Sequence, residues 1–235
     1  MSTVYQIKPT IELCNEMNEL LSGYWGNDVW DIRDSFFDNL TPEKWSFSSK
    51  TIDFSGFRLP IRNEVKYMYA YKLTEGEIRL ISVIGYSPAL KRYAEFLDKR
   101  YPNIASITEI PYDKALLQWR SFLVDRSMKI RDNGEISTKF YETVFNQLYS
   151  FFVNLYDNRE EYEKDIWDSR NIPGAKITEN ISDYYLDFTD IPLEFRELAK
   201  RFIKSRTTNN SHSQCSADIM ALRLFFKYIH SQEPA

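Results

Sequence analysis

DIWDSRN (Asp165–Asn171), a polar spacer, and LDFTDIPLEFRELAKRFIKSR (Leu186–Arg206) form the stretch on which the reading of this chain turns. The chain contains a second version of it. Upstream, DVWDIRD (Asp28–Asp34) is followed by a spacer and by IDFSGFRLPIRNEVKYMYAYKL (Ile52–Leu73). Trp30-Asp31-x-Arg33 matches Trp167-Asp168-x-Arg170, Ile52-Asp53-Phe54 matches Leu186-Asp187-Phe188, and the register continues through Arg62/Arg196 and Lys66/Lys200. Further on, ALKRYAEFL (Ala89–Leu97) pairs with ALRLFFKYI (Ala221–Ile229). With only five tryptophans in the chain, two D-[V/I]-W-D-x-R strings are not chance. The repeat is far longer than the roughly 20–50-residue units of solenoids, so it reads as a duplicated domain.

Around these strings the apolar spacing is helical. Ile61, Val65, Met68, Tyr69 and Leu73 share one face of a helix that stops before Gly76. Ser87-Pro88 reads as a helix start, with Leu90, Tyr93, Phe96 and Leu97 inward and Lys91, Arg92, Lys99 and Arg100 elsewhere. Pro111 opens a helix through Trp119. Asp132-Asn133-Gly134 is a turn, and Ser137 caps a helix carrying Phe140, Val144, Leu148, Phe151, Phe152 and Leu155. The second copy restarts at Pro192 and supplies two helices, near 193–205 and 217–230, separated by the polar loop Thr207–Ser216. Residues 1–25 hold one short helix. Asp28–Thr51 and Asn171–Tyr185 lack a period and read as irregular segments pinned by aromatics such as Trp30, Trp45 and Phe47. The expected fold is mainly α: a small helical bundle, duplicated, with the second copy incomplete. The expected boundaries are 1–55 (helix and irregular segment), 56–160 (first bundle), 161–190 (acidic linker) and 191–235 (incomplete second bundle).

Composition sets limits on chemistry. The chain has 235 residues, 43% of them hydrophobic and 16% aromatic, as expected of a folded protein with a substantial core. Two distant cysteines, Cys14 and Cys215, make no disulfide framework and fit a reducing cytoplasmic setting. Two histidines are too few for a four-ligand zinc site, there is no glycine-rich phosphate loop, and no cofactor is expected. No secretory pattern opens the chain, and no apolar run suits a membrane span. Cys14 with His212 or His230 forms no recognisable nucleophile–base motif. The run Glu160, Glu161, Glu163, Asp165 reads as a solvated surface, and Tyr67, Tyr69 and Tyr71 read as core packing rather than base stacking. The net charge of −4 is uneven: residues 61–136 carry 13 basic and 10 acidic side chains and residues 190–235 carry 7 and 5, while the intervening sequence is acidic. The helical parts of both copies are therefore the basic parts. The bland reading of that pattern is ordinary solvated helix faces; the functional one is a footprint for duplex DNA.

LDFTDIPLEFRELAKRFIKSR, the polar loop and ADIMALRLFFKYI together resemble the core-binding region of tyrosine recombinases, the phage-integrase-like enzymes. The D-[V/I]-W-D-x-R string looks like the long N-terminal region of their large, transposon-borne members. The resemblance covers roughly residues 28–235 and implies an all-helical, SAM-like half of a clamp around double-stranded DNA. It also implies that catalysis belongs to a separate C-terminal domain with a nucleophilic tyrosine, two arginines, a lysine and a His-x-x-Arg element. Neither His212 nor His230 has arginine at the third following position, so no catalytic residue carries over and the chain is expected not to be an enzyme. It looks like a truncated recombinase. The residues expected to meet DNA are Lys91, Arg92, Lys200, Arg201, Lys204, Arg206, Arg223 and Lys227, with Arg223 or Lys227 within reach of bases. A rival expectation is a protein-interaction scaffold in recombinase assembly. Two helices cannot cover Leu198, Phe202, Ile203, Leu222, Phe225, Phe226 and Ile229, so the second copy is expected to fold back on its own chain or to self-associate.

Overall fold

The structure, a computed structural model, describes residues 8–40, 50–126, 139–177 and 184–232. Trp45, Phe47, the Asp132–Gly134 turn and the Ser137 cap lie outside the described residues. The chain divides into two compact units, residues 1–157 and 158–235. Both are mainly helical, and each contains one two-stranded antiparallel ladder.

In the first unit, α1 (Ile11–Leu20) is capped by Thr10, whose Oγ1 accepts from Leu13 N–H at 3.2 Å. A tight turn follows in which Gly26 is required: a Cβ there would lie 2.2 Å from the Leu21 carbonyl oxygen. Strands β1 (Val29–Asp31) and β2 (Thr51–Asp53) pair with Trp30 opposite Ile52. These strands lie where the sequence reads as irregular, because three residues are too few to show a period of two. Four helices complete the unit: α2 (Ile61–Thr74), α3 (Leu80–Arg100), α4 (Tyr112–Asp125) and α5 (Lys139–Tyr156). Gly76 ends α2 with φ +70°, a conformation open to glycine at no steric cost. Tyr93 and Phe96 of α3 pack against Trp119 of α4 at ring-centroid distances of 5.6 and 5.2 Å, and Tyr93 meets Phe145 of α5 at 5.6 Å.

Helix α3 corrects one expectation: it begins at Leu80, and Pro88 sits inside it. Leu80, Val83 and Ile84 are all buried and extend the inward stripe of Ala89, Leu90 and Tyr93. Burying three such side chains, at about 1.5–3 kcal/mol each, outweighs the roughly 3 kcal/mol cost of an interior proline. Pro88 itself is exposed.

In the second unit, β3 (Ile166–Asp168) pairs with β4 (Tyr185–Asp187), with Trp167 opposite Leu186. Helices α6 (Leu193–Lys204) and α7 (His212–Gln232) follow. Helix α7 starts before the expected Ala217 because Ser211 and Gln214 form a capping box: Ser211 Oγ accepts from Gln214 N–H at 3.3 Å, and Gln214 Oε1 accepts from Ser211 N–H at 3.1 Å. The core gathers Trp167, Leu186, Phe188, Ala199, Ile203, Cys215, Ile219 and Phe226. Phe195 stacks on Phe226 at 4.7 Å.

The two ladders, each with the helix that follows it, are the same module built twice. Phe54 N–H donates to Asp28 O at 2.8 Å, and Phe188 N–H donates to Asp165 O at 2.9 Å. Trp30 packs on Phe54 at 4.6 Å, and Trp167 on Phe188 at 4.5 Å. Ser55 N–H is held by Asp53 Oδ1 and Thr189 N–H by Asp187 Oδ1, both at 2.8 Å. Asp28 forms ion pairs with Arg62 at 2.5 Å and Lys66 at 3.0 Å; Asp165 does so with Arg196 at 2.9 Å and Lys200 at 2.7 Å. Lys66 Nζ also donates to Gly26 O at 2.6 Å, and Lys200 Nζ to Glu163 O at 3.2 Å. Burial raises the Asp28 pKa, but Lys66 and Arg62 overcome that and hold it below the ordinary value. Helices α3 and α7 each run 21 residues, and the matched ALKRYAEFL and ALRLFFKYI begin at the same position in each.

Two stability predictions follow from these cores. Asp28→Ala leaves the buried Lys66 ammonium without its carboxylate and should cost about 3 kcal/mol in urea unfolding. Adding Lys66→Met should recover most of that loss; a single variant within about 0.5 kcal/mol of the parent contradicts the role of the pair. The second concerns Glu64, which is buried and accepts from Ile107 N–H and Tyr156 O–H, both at 2.8 Å. Burial raises its pKa above 4.5 despite those donors. The folded state therefore holds the Glu64 proton more tightly than the unfolded chain does. Its contribution is complete below pH 4.5 and is lost as pH rises through the raised value. Glu64→Gln should abolish this part of the decline, seen as a flatter dependence of the urea midpoint on pH across that window.

Candidate nucleic-acid interface

The expected DNA-facing residues separate into two groups once their partners are counted. Lys200 is not on the surface. It is buried in α6, paired with Asp165 and at 2.9 Å with Glu197. The expectation that it points outward is corrected: Lys200 joins helix α6 to the ladder, as Lys66 does in the first unit. The sequence showed the Lys66/Lys200 register but not the acceptor. Asp28 and Asp165, each two residues before its tryptophan, are the signal that identifies it.

The other cations sit on the outside to different degrees. Arg92 of α3 pairs with Glu95 at 3.0 Å, and Arg126 reaches the same carboxylate at 3.1 Å. Arg206 follows α6 and pairs with Asp218 of α7 at 2.7 Å. Arg223 and Lys227 of α7 share Asp190, at 3.1 and 4.0 Å. A base contact by either one requires leaving that carboxylate. Lys91, Arg201 and Lys204 are exposed, with no carboxylate at ion-pair distance among the described residues. Lys204 lies over the Tyr162 ring at 4.2 Å, which holds its stem without consuming its charge. In the second unit Arg201 and Lys204 are thus the two exposed cations of α6 whose charge no carboxylate takes up among the described residues.

The residues weighed for chemistry have structural roles. His212 is the first residue of α7 rather than a loop residue; its Nδ1 lies 2.7 Å from Ser169 Oγ, and its N–H donates to Lys176 O. Ser169 and His212 are both buried, so their contact fixes the start of the helix. Cys215 is buried, and burial pushes its thiol above the ordinary value, away from a reactive thiolate. Within the Glu160–Asp165 run, Glu161 is not solvated: it pairs with Lys164 at 3.0 Å and accepts from Asp168 N–H. Tyr67 and Tyr69 are core residues, and burial pushes the Tyr67 hydroxyl up to about 12. Among the described residues no group of three His, Cys, Asp or Glu side chains could hold a metal ion. No helix among them is long and apolar enough to cross a membrane.

No family model matches the chain, and no solved structure matches it. The chain is similar to transposases of mobile elements. It is 31% identical over 231 residues to transposase B from transposon Tn554 of Staphylococcus aureus strains Mu50 and N315, and 30% identical over 231 residues to transposase B from transposon PsiTn554 of the same species. Each match covers 91% of this chain. The chain spans 37% of the length of these curated relatives.

The division among the cations is testable. Lys200→Ala should lower the urea midpoint by removing the buried tie from α6 to Asp165, which then keeps only Arg196, whereas Arg201→Ala should leave stability within about 0.5 kcal/mol of the parent. Equal effects of the two substitutions would contradict the assignment.

Proposed function

We propose that this chain is a DNA-binding part of a transposon recombinase of the tyrosine-recombinase type, gripping duplex DNA and contributing none of the reacting groups. The similarity to transposase B over 91% of the chain carries this reading. Its supports are the resemblance of the second repeat to a core-binding region and the exposed cations Lys91, Arg201 and Lys204. Contacts of this kind neutralise phosphates and are indifferent to sequence. Arg92, Arg206, Arg223 and Lys227 take a secondary part, since each must exchange a carboxylate for a phosphate. A second reading, a scaffold that binds protein, has its own observation: carboxylates already engage these four cations.

The test is a titration of a mixed-sequence duplex at several salt concentrations. If the three free cations each neutralise one phosphate, the log–log slope is about −3. Replacing Arg201 and Lys204 with Ala should flatten the slope by about 2 units and leave the fold intact. Absence of binding at low salt decides for the scaffold.

A further inference from the structure

Seven large apolar side chains on α6 and α7 are exposed among the described residues, Leu224 and six that have apolar or buried counterparts in the first unit; four of those six are Leu198 (51% exposed) and Phe202 (45%) on α6, and Phe225 (56%) and Tyr228 (62%) on α7. The internal repeat supplies the comparison that explains them. In the register set by Lys66/Lys200 and by ALKRYAEFL/ALRLFFKYI, their counterparts are Glu64, Met68, Tyr93 and Phe96. Those four are 4%, 0%, 0% and 0% exposed. The hairpin of α4 and α5 touches three of them, Glu64, Tyr93 and Phe96. Glu64 accepts from Tyr156 of α5, Tyr93 meets Trp119 and Phe145, and Phe96 meets Trp119 and Phe122.

The match is selective, which separates it from a merely greasy surface. Leu193 and Met220 are also exposed apolar residues of α6 and α7. Their counterparts, Leu59 and Pro88, remain exposed in the first unit even though its hairpin is present. The repeat therefore predicts which apolar residues of the second unit receive a cover and which do not.

We infer that the face formed by Leu198, Phe202, Phe225 and Tyr228 seats a helical hairpin of the α4–α5 kind, carried by the polypeptide that follows α7 in a longer protein. Transposase B from Tn554 is longer than this chain, which spans 37% of it. In the first unit α3 is followed directly by its own hairpin. The chemistry of the occupant follows from the substitutions between copies. Leu198 replaces the buried carboxylate Glu64, so the incoming helix offers an apolar side chain where α5 offers the Tyr156 hydroxyl. Phe225 and Tyr228 replace Tyr93 and Phe96, so large aromatics in the manner of Trp119 and Phe122 suit the other helix. This inference does not depend on DNA binding.

Thiol labelling tests it. Cysteine is placed singly at Phe225, Tyr228, Leu193 and Met220 in a Cys14→Ser background, in the 235-residue chain and in the same chain extended at its C-terminus. The extension is the stretch that follows the matched region in transposase B from Tn554, as long as residues 101–157. Positions 225 and 228 should label at least about tenfold more slowly in the extended chain, while 193 and 220 label at unchanged rates. The complete transposase B, with cysteines at the four aligned positions, gives the same readout in a natural protein and decides the matter if the chimera does not fold. Labelling at 225 and 228 as fast as at 193 and 220 in the complete transposase overturns the inference. Slowing at all four positions is aggregation and overturns it as well. Protection of 225 and 228 in the unextended chain that grows with protein concentration assigns the face to a second copy instead.

Discussion

One carboxylate at the end of each ladder organises the module around it. Asp28 and Asp165 both use the backbone carbonyl to close the strand pair and the side chain to hold two cations from the following helix. The arginine adds further bonds: Arg62 donates to Phe57 O and Ser55 O, and Arg196 to Ile191 O and Thr189 O. The lysine ends on a third acceptor, the carbonyl of Gly26 or Glu163. A three-residue ladder has too few backbone bonds to be stable alone. Fastening it to the helix by a charge cluster of one carboxylate and two cations makes strand and helix one unit, and Trp30 and Trp167 fill the space beneath, fully buried. A buried charge is costly unless paired, and its low tolerance for misplacement is what fixes the register between ladder and helix.

That constraint also explains which parts of the repeat are alike. Several of the residues shared between copies (Trp30/Trp167, Asp28/Asp165, Arg62/Arg196 and Lys66/Lys200) belong to the ladder–helix joint. Glu64 and Leu198 differ and take no part in that joint. Glu64 is a buried acceptor in one copy, and its counterpart Leu198 is an exposed apolar residue in the other. The joint is specified by directional bonds and admits few substitutions. The position of Glu64 and Leu198 is specified by whatever packs on it, so it has diverged.

Much of the fold was legible because helical periodicity needs only local sequence. The stripe Ile61–Leu73 and the Gly76 stop gave α2 nearly to the residue. The failures have physical causes. Pro88 carries a strong local start signal, but burial of Leu80, Val83 and Ile84 overrode it. The Ser211–Gln214 capping box was readable and was masked by the polar composition of its loop. For the candidate interface, sequence spacing separates apolar from polar faces and says nothing of long-range partners. Lys200 and Arg201 are adjacent and identical in charge, yet one is a buried tie and the other a surface cation. Only the fold brings Asp165 to the first of them.

The same reasoning bears on what a net charge of −4 says about the surface of this chain. Net charge is a poor guide when the fold itself uses many of the charges. Asp28 and Asp165 are neutralised inside their joints, Asp190 by Arg223 and Lys227, and Glu95 by Arg92 and Arg126. Such groups contribute little field at a distance, because each pair is a short dipole and salt screens it within about 10 Å. The cations left exposed without a carboxylate at ion-pair distance among the described residues include Lys91, Lys99 and Arg100 on α3, Lys114 on α4, and Arg201 with Lys204 on α6. It is these cations, and not the net charge, that bear on the proposed DNA binding, since affinity for duplex DNA grows with each phosphate neutralised.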